Sequence, residues 1–271
     1  MITCRGGCAV CKRYEVLMQM SKGKVSVTHW ARALDSGMDV VLKHSTLENS
    51  RCFAEAGLLA RVSGCPGVVK LVDTISLPDC FVLVTERVGM HCVELRDYID
   101  DNMGEDGNVG LREDVARLLF AQIVAVVQRC AEKGVVHCDL SYKNVVVDTL
   151  TSQVALCDFG AAMHSHSGYF LEYHGSAQWA PPEWFVTKRY TADGITAWQL
   201  GVLLHNLICG AEPYWYPEEF ARGRALEIDS DVVMSSACRE LLFSCMAVKE
   251  EERLSLAEIA RHPWLSGVAD A

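Results

Sequence analysis

Hydrophobic periodicity changes once along this chain, and that change limits what it can fold into. From about Tyr14 to Val84, short β-branched runs alternate with turn residues: "KVSVTHWA", "SGMDVVLKHS", "GVVKLVDTIS" and "CFVLVTER". A single helical interruption, "NSRCFAEAGLLARV", sets Phe53, Leu58, Leu59 and Val62 at helical spacing. After "TERVGM" the period becomes helical: Val115, Leu118, Leu119, Ile123, Val126, Val127 and Cys130 mark one face of a long helix, closed by Lys133 and Gly134. A short β-rich pair, "KNVVVDT" and "QVALCDFG", precedes the helical runs "ITAWQLGVLLHNLICG" and "SSACRELLFSCMAV". This order predicts an α+β chain of two lobes: a small sheet with one main helix, a linker, and a larger, mostly helical part. A ligand cleft is expected where the two meet.

Composition narrows the function classes. The 271 residues suffice for two small cores, and a formal charge of −10 argues against non-specific nucleic-acid binding. No apolar run approaches the roughly 18 residues that span a bilayer, so no membrane partner is expected. The opening "MITCRGGCAVCKRYEV" lacks the apolar core of a secretory signal, so the thirteen cysteines are expected to be reduced thiols in the cytoplasm or nucleus. Cys4, Cys8 and Cys11 have no second closely spaced pair to complete a zinc site, and are expected in an N-terminal tail, residues 1–13.

Four separated motifs fall into one order. Lys43 ends the strand "VVLK"; His137, Asp139 and Asn144 give H-x-D-L-x-x-x-N; Asp158-Phe159-Gly160 follows a β-strand; Ala180-Pro181-Pro182-Glu183 comes later. Any one is weak alone, but together they resemble the protein-kinase signature set, over about Tyr14 to Leu265. The stretches "GCPGVVKLVDTISLPDCFVLVTER", "APPEW", "AWQLG" and "EEERLSLAEIARHPWL" are similar at finer grain to the PIM serine/threonine kinases of the calmodulin-dependent-kinase-like group. The doubled proline before Glu183 and Trp184 is the most specific of these, and Thr196 stands where most kinases carry an Asp that PIM kinases also lack.

The resemblance implies a bilobal kinase fold over residues 14–265, with an N-lobe of about 14–85, a hinge of about 86–89, a C-lobe of about 90–265 and a C-terminal tail of 266–271. It also implies ATP and magnesium as cofactors, protein substrates and a monomer. Lys43 would grip the α- and β-phosphates, with Glu55 as its ion-pair partner. Asp139 would accept the proton of the attacking hydroxyl, and Asp158 and Asn144 would hold magnesium. Glu86 and Val88 of the hinge would meet adenine through backbone groups, with Thr85 before them as gatekeeper. PIM kinases have proline where Val88 stands, so an N–H is restored there. Glu183 and Arg253 would form a buried ion pair.

Three departures stand out. Of the glycines in the phosphate-covering loop, Ser21 to Thr28 keeps only Gly23, beside Lys22 and Lys24, which implies a looser phosphate contact. Cys138 replaces the arginine that normally receives a phosphorylated activation segment, so activity should not depend on phosphorylation there. Ser141 replaces a phosphate-neutralising lysine, and Lys143 offers that charge from nearby, at a position where basophilic kinases carry a glutamate for peptide arginine. Two readings remain. One is an active kinase, serine/threonine-directed because Gly175-Ser176 resembles the Gly-Thr that receives such substrates; the other is a pseudokinase, a binding module with weak nucleotide affinity.

Overall fold

The computed structural model describes residues 9–23, 26–48, 51–104, 109–213 and 217–266. They form two compact units.

The first unit runs to Gly64 and includes Val68–Met90. Its sheet contains β1 (Tyr14–Lys22), β2 (Ser26–Ala33), β3 (Asp39–Thr46), β4 (Leu71–Ser76) and β5 (Cys80–Glu86), in the order β1-β2-β3-β5-β4. All four pairings are antiparallel, and α1 (Arg51–Val62) is inserted after β3. Val40, Leu42, Val82 and Val84 form the core of one face with Ala31, Ile75 and Val10. Val10 lies within the segment expected as a tail. It is fully buried, its carbonyl accepts from the N–H groups of Arg13 and Tyr14, and Arg13 is ion-paired to Asp73 at 2.6 Å. Cys4 and Cys8 of that segment lie outside the described residues.

β1 was not among the runs the periodicity picked out. Leu17, Met18 and Met20 are exposed, so the strand is held by its ladder to β2 more than by a buried face. In α1 the inward set is Cys52, Glu55, Leu58, Leu59 and Val62, whereas Phe53 is half exposed and packs on Phe81 with ring centroids 4.7 Å apart. The helix is therefore turned so that a carboxylate, not the phenyl ring, faces in.

The second unit comprises Cys65–Gly67 and the chain from His91 onward. Cys65–Gly67 belongs here because Gly67 accepts from the Leu156 N–H and Pro66 accepts from Arg129. β6 (Cys92–Glu94), β8 (Val145–Asp148) and β9 (Val154–Leu156) make a three-stranded sheet, and β7 (Val135–Val136) pairs with β10 (Met163–His164). The helices are α2 (Leu95–Asn102), α3 (Glu113–Glu132), α4 (Pro182–Thr187), α5 (Ala192–Cys209), α6 (Pro217–Ala221), α7 (Ser236–Cys245), α8 (Leu256–Ala260) and α9 (Pro263–Ser266). In α3 the buried face includes Ala116, Leu119, Phe120, Ile123 and Cys130, while Leu118, expected inside, is exposed. Gly134 ends this helix at φ +71°, the left-handed conformation a glycine C-cap supplies.

α5 is buried along almost its whole length and carries the unit's centre. Cys130, Cys238 and Cys245 stand on neighbouring helices and Cys209 ends α5 itself; burial pushes all four thiols up to about 12, so they act as small apolar groups. Among the described residues no helix is long and apolar enough to cross a membrane.

Candidate active site

In the first unit, antiparallel pairing fixes which residues share a face. Lys43 on β3 lies opposite Thr28 on β2 and Leu83 on β5, and Val41 lies opposite Trp30 and Thr85. Lys43, Thr85 and Trp30 therefore share one side of the sheet. The Lys43 ammonium donates to Glu55 Oε1 at 2.8 Å, and Glu55 is 3% exposed, which rules out an ordinary solvated helix residue. At the hinge, the Glu86 N–H is used on Lys70 O and the Arg87 N–H on Asp39 O. Val88 carries no backbone hydrogen bond among the described residues, so the N–H that proline would remove is available. The β1–β2 turn closes through Gly23 N–H to Ser26 O at 2.8 Å; Lys24 lies outside the described residues.

In the second unit the loop after β7 gathers the predicted residues. His137 is buried against the ring of Phe159, centroids 4.8 Å apart. Its Nδ1 accepts from the Asp139 N–H at 3.3 Å, which leaves Nε2 to donate to Cys157 O at 3.0 Å. Cys138 follows at φ +61°, a left-handed conformation unusual for a residue with a Cβ, and is buried. The Asp139 carboxylate is half exposed and accepts from Asn144 Nδ2 at 3.0 Å and from the Ser176 N–H at 2.8 Å. Asn144 Nδ2 also donates to Asp139 O at 2.8 Å. With both amide hydrogens spent on Asp139, the carbonyl oxygen of Asn144 is turned the other way as an acceptor.

Asp158 has φ +56° and accepts from the Gly160 N–H at 3.0 Å. Asp158 and Asn144 thus present hard oxygen donors, the kind that magnesium takes. Among the described residues no group of three or more His, Cys, Asp or Glu has metal-holding geometry.

The replaced positions have clear environments. Ser141 is buried and, as a neutral hydroxyl, supplies no charge, whereas Lys143 is exposed with its ammonium 5.9 Å from the Tyr142 ring centre. The field of Lys143 reaches Glu94, whose carboxyl burial and Asp97 push up and Lys143 partly restores. The segment before α4 is ordered by aromatic packing. Phe170 and Tyr190 exchange backbone hydrogen bonds and stack at 5.4 Å, Tyr190 donates to Glu172 O, and Tyr173 donates to Ser176 O at 2.8 Å.

Glu183 and Arg253 meet as expected, in a bidentate pair at 2.9 and 2.6 Å. Sequence reasoning passed over Gln199. The available signal for Gln199 was a lone amide inside the apolar run "ITAWQLGVLLHNLIC", where a buried polar group must find partners.

Residues 14–265 match the family model described as the protein kinase domain, and the chain belongs to the protein kinase family. Within that family it is related to the PIM kinases. The serine/threonine-protein kinase pim-2 of Danio rerio is 31% identical over 213 residues, covering 75% of this chain and 63% of that protein. The serine/threonine-protein kinase prk-2 of Caenorhabditis elegans is 31% identical over 265 residues, 94% of this chain and 58% of that protein. A third relative, the SNF-related serine/threonine-protein kinase of Rattus norvegicus, is 30% identical over 268 residues, 94% of this chain and 34% of its own length. The chain therefore spans only part of the length of these curated relatives.

Proposed function

We propose that this chain is an ATP- and magnesium-dependent protein kinase acting on serine or threonine of protein substrates. The observation that carries the reading is the Asp139–Asn144 arrangement: one loop presents a carboxylate fixed for proton acceptance and an amide oxygen fixed for metal ligation. Lys43, aligned by Glu55, holds the α- and β-phosphates, and Val88 offers its N–H to adenine. Magnesium would supply charge neutralisation on the phosphates, and Asp158 and Asn144 are the residues that would hold it. Asp139 takes the proton of the substrate hydroxyl as that oxygen bonds to the γ-phosphorus, the bond to the bridging oxygen breaks, and ADP leaves with the electron pair. Lys143 supplies the cation that Ser141 lacks.

Serine/threonine specificity is supported by the names of the relatives and by Ser176 meeting Asp139 through its N–H. Independence from activation-segment phosphorylation is supported by Cys138 and by the aromatic anchoring of Phe170, Tyr173 and Tyr190. The test is transfer from labelled ATP, with magnesium, to a mixed peptide library, comparing wild type with Asp139→Ala. Labelled serine and threonine with wild type only, unchanged by prior phosphatase treatment, is the expected result. Nucleotide binding without transfer would overturn it and leave a binding module.

A further inference from the structure

Among the described residues of the second unit Gln199 is the most completely buried polar residue, at 0% exposure, and it sits mid-way along α5. Its Oε1 accepts from the Leu140 N–H at 3.0 Å. Its Nε2 donates to Cys138 O at 3.0 Å and to Trp179 O at 3.3 Å. Two carbonyls and one N–H permit a single orientation of the amide, so the assignment of oxygen and nitrogen is fixed by the partners. Cys138 and Leu140 are the residues on either side of Asp139, and Trp179 lies on the segment that brings Ser176 to the Asp139 carboxylate.

Cys138 needs such a restraint. Its left-handed φ of +61° is costly for a residue with a Cβ and persists only where the surroundings hold it. One turn earlier on the same helix, Thr196 spends its hydroxyl on Ala192 O at 2.7 Å, inside its own helix. It gives the loop nothing.

We infer that Gln199 is a positioning residue for Asp139: its one amide clamps the backbone on both sides of the catalytic aspartate and ties it to the substrate-facing segment. Gln199 touches no reacting atom, and its effect passes through the angle at which Asp139 is presented. The inference rests on the reading of Asp139 as the proton acceptor.

The experiment compares wild type with Gln199→Leu, of similar size but without donors or acceptor, and Gln199→Glu. Two readouts are taken on the full chain: amide hydrogen exchange at Leu140, and steady-state phosphoryl transfer. In folded Gln199→Leu the Leu140 amide should exchange about tenfold faster while the central α5 amides keep their protection. The kcat should fall about 10- to 100-fold with the KM for ATP nearly unchanged, because misplacing an oriented group by about 1 Å costs on that order. Unchanged Leu140 exchange, or a loss spread evenly over α5, overturns the inference. So does a rise in KM with kcat intact.

Gln199→Glu decides the matter if Gln199→Leu does not fold. A protonated glutamic acid can still accept from Leu140 and donate to Cys138 O, whereas the carboxylate repels that carbonyl. Burial raises the carboxyl pKa, so kcat and Leu140 protection in this variant should fall as pH rises through it, while wild type shows no such step. Identical pH profiles overturn the inference. If wild type transfers no phosphate at all, the kinase reading fails, and the Leu140 exchange data still show whether Gln199 holds the loop.

Discussion

Each unit contains a carboxylate–cation pair, and the two differ in how they are built. In the second unit the Arg253 side chain is 1% exposed, and its five N–H groups are all used: two on Glu183 and the others on Ala247 O, Gly194 O and Val248 O. In the first unit the Lys43 ammonium meets Glu55 at 2.8 Å, but its side chain is 18% exposed on a flexible stem. A planar fork saturated by carbonyls locks one geometry. An ammonium at the edge of solvent can be shared with an incoming anion. The contrast separates a pair closed within the fold from one that the proposed function assigns to a ligand.

The same substitution in both pairs breaks or sharpens that contrast. Glu183→Gln leaves the Arg253 charge buried without a counter-charge and should cost about 3–5 kcal/mol, read as a fall in the unfolding midpoint of the second unit in urea. A loss below about 1 kcal/mol would mean that the carbonyls alone satisfy Arg253, and the pair would not be the fold's anchor.

Buried histidine gives the next largest effect, in the first unit. His44 is 2% exposed, both its ring nitrogens lack partners among the described residues, and His29 lies edge-on with centroids 5.2 Å apart. Burial first, then the charge of His29, lowers the His44 pKa from 6.5 to about 4. The unfolded chain therefore takes up a proton that the folded unit refuses. Stability is fully present above about pH 6.5, falls as pH drops from there toward 4, and levels off below, a loss of about 3 kcal/mol. His44→Leu should flatten that dependence in a pH series of urea unfolding. An unchanged slope would assign it to other groups.

These two polar sets also show where the sequence was legible. The strand runs, the helical switch and the motif order are local patterns, and they led to the two-part order of sheet and helices, with Lys43 on β3, Asp139 and Asn144 in the loop between β7 and β8, and Asp158 just after β9. Three things were hidden. Phe53 was expected inward in α1 but is half exposed, while Glu55, the expected partner of Lys43, is the residue buried there. Val10 packs into the sheet through a turn that no periodicity marks. Gln199 acts across sequence separations of about 60 residues, as its partners Cys138 and Leu140 show, and such a bond leaves no periodic trace.

The glycines repeat the comparison at a smaller scale. A Cβ on Gly175 would run into Cys138 O and come within 2.7 Å of the Tyr173 hydroxyl, whereas a Cβ on Gly23 would find Ser26 O at 3.5 Å, an ordinary contact. Gly175→Ala should cost about 1–3 kcal/mol and reduce phosphoryl transfer through Asp139, while Gly23→Ala should leave thermal stability nearly unchanged. Equal shifts in the two unfolding transitions would remove the distinction between a pinned loop and an open turn.

Glu55→Gln is expected to have the smallest effect on stability, and it completes the matched pair with Glu183→Gln. Glutamine keeps the shape of the side chain and an oxygen for the Lys43 ammonium to meet. Lys43 can also extend along its methylene stem toward water, so no charge is stranded. The cost should be about 1 kcal/mol or less in urea unfolding of the first unit. Phosphoryl transfer should fall by much more than that, because a lysine without its carboxylate is no longer aimed at phosphate. A small stability loss with a large loss of transfer marks the Lys43–Glu55 pair as a ligand-directed device, and a stability loss as large as that of Glu183→Gln would make both pairs structural.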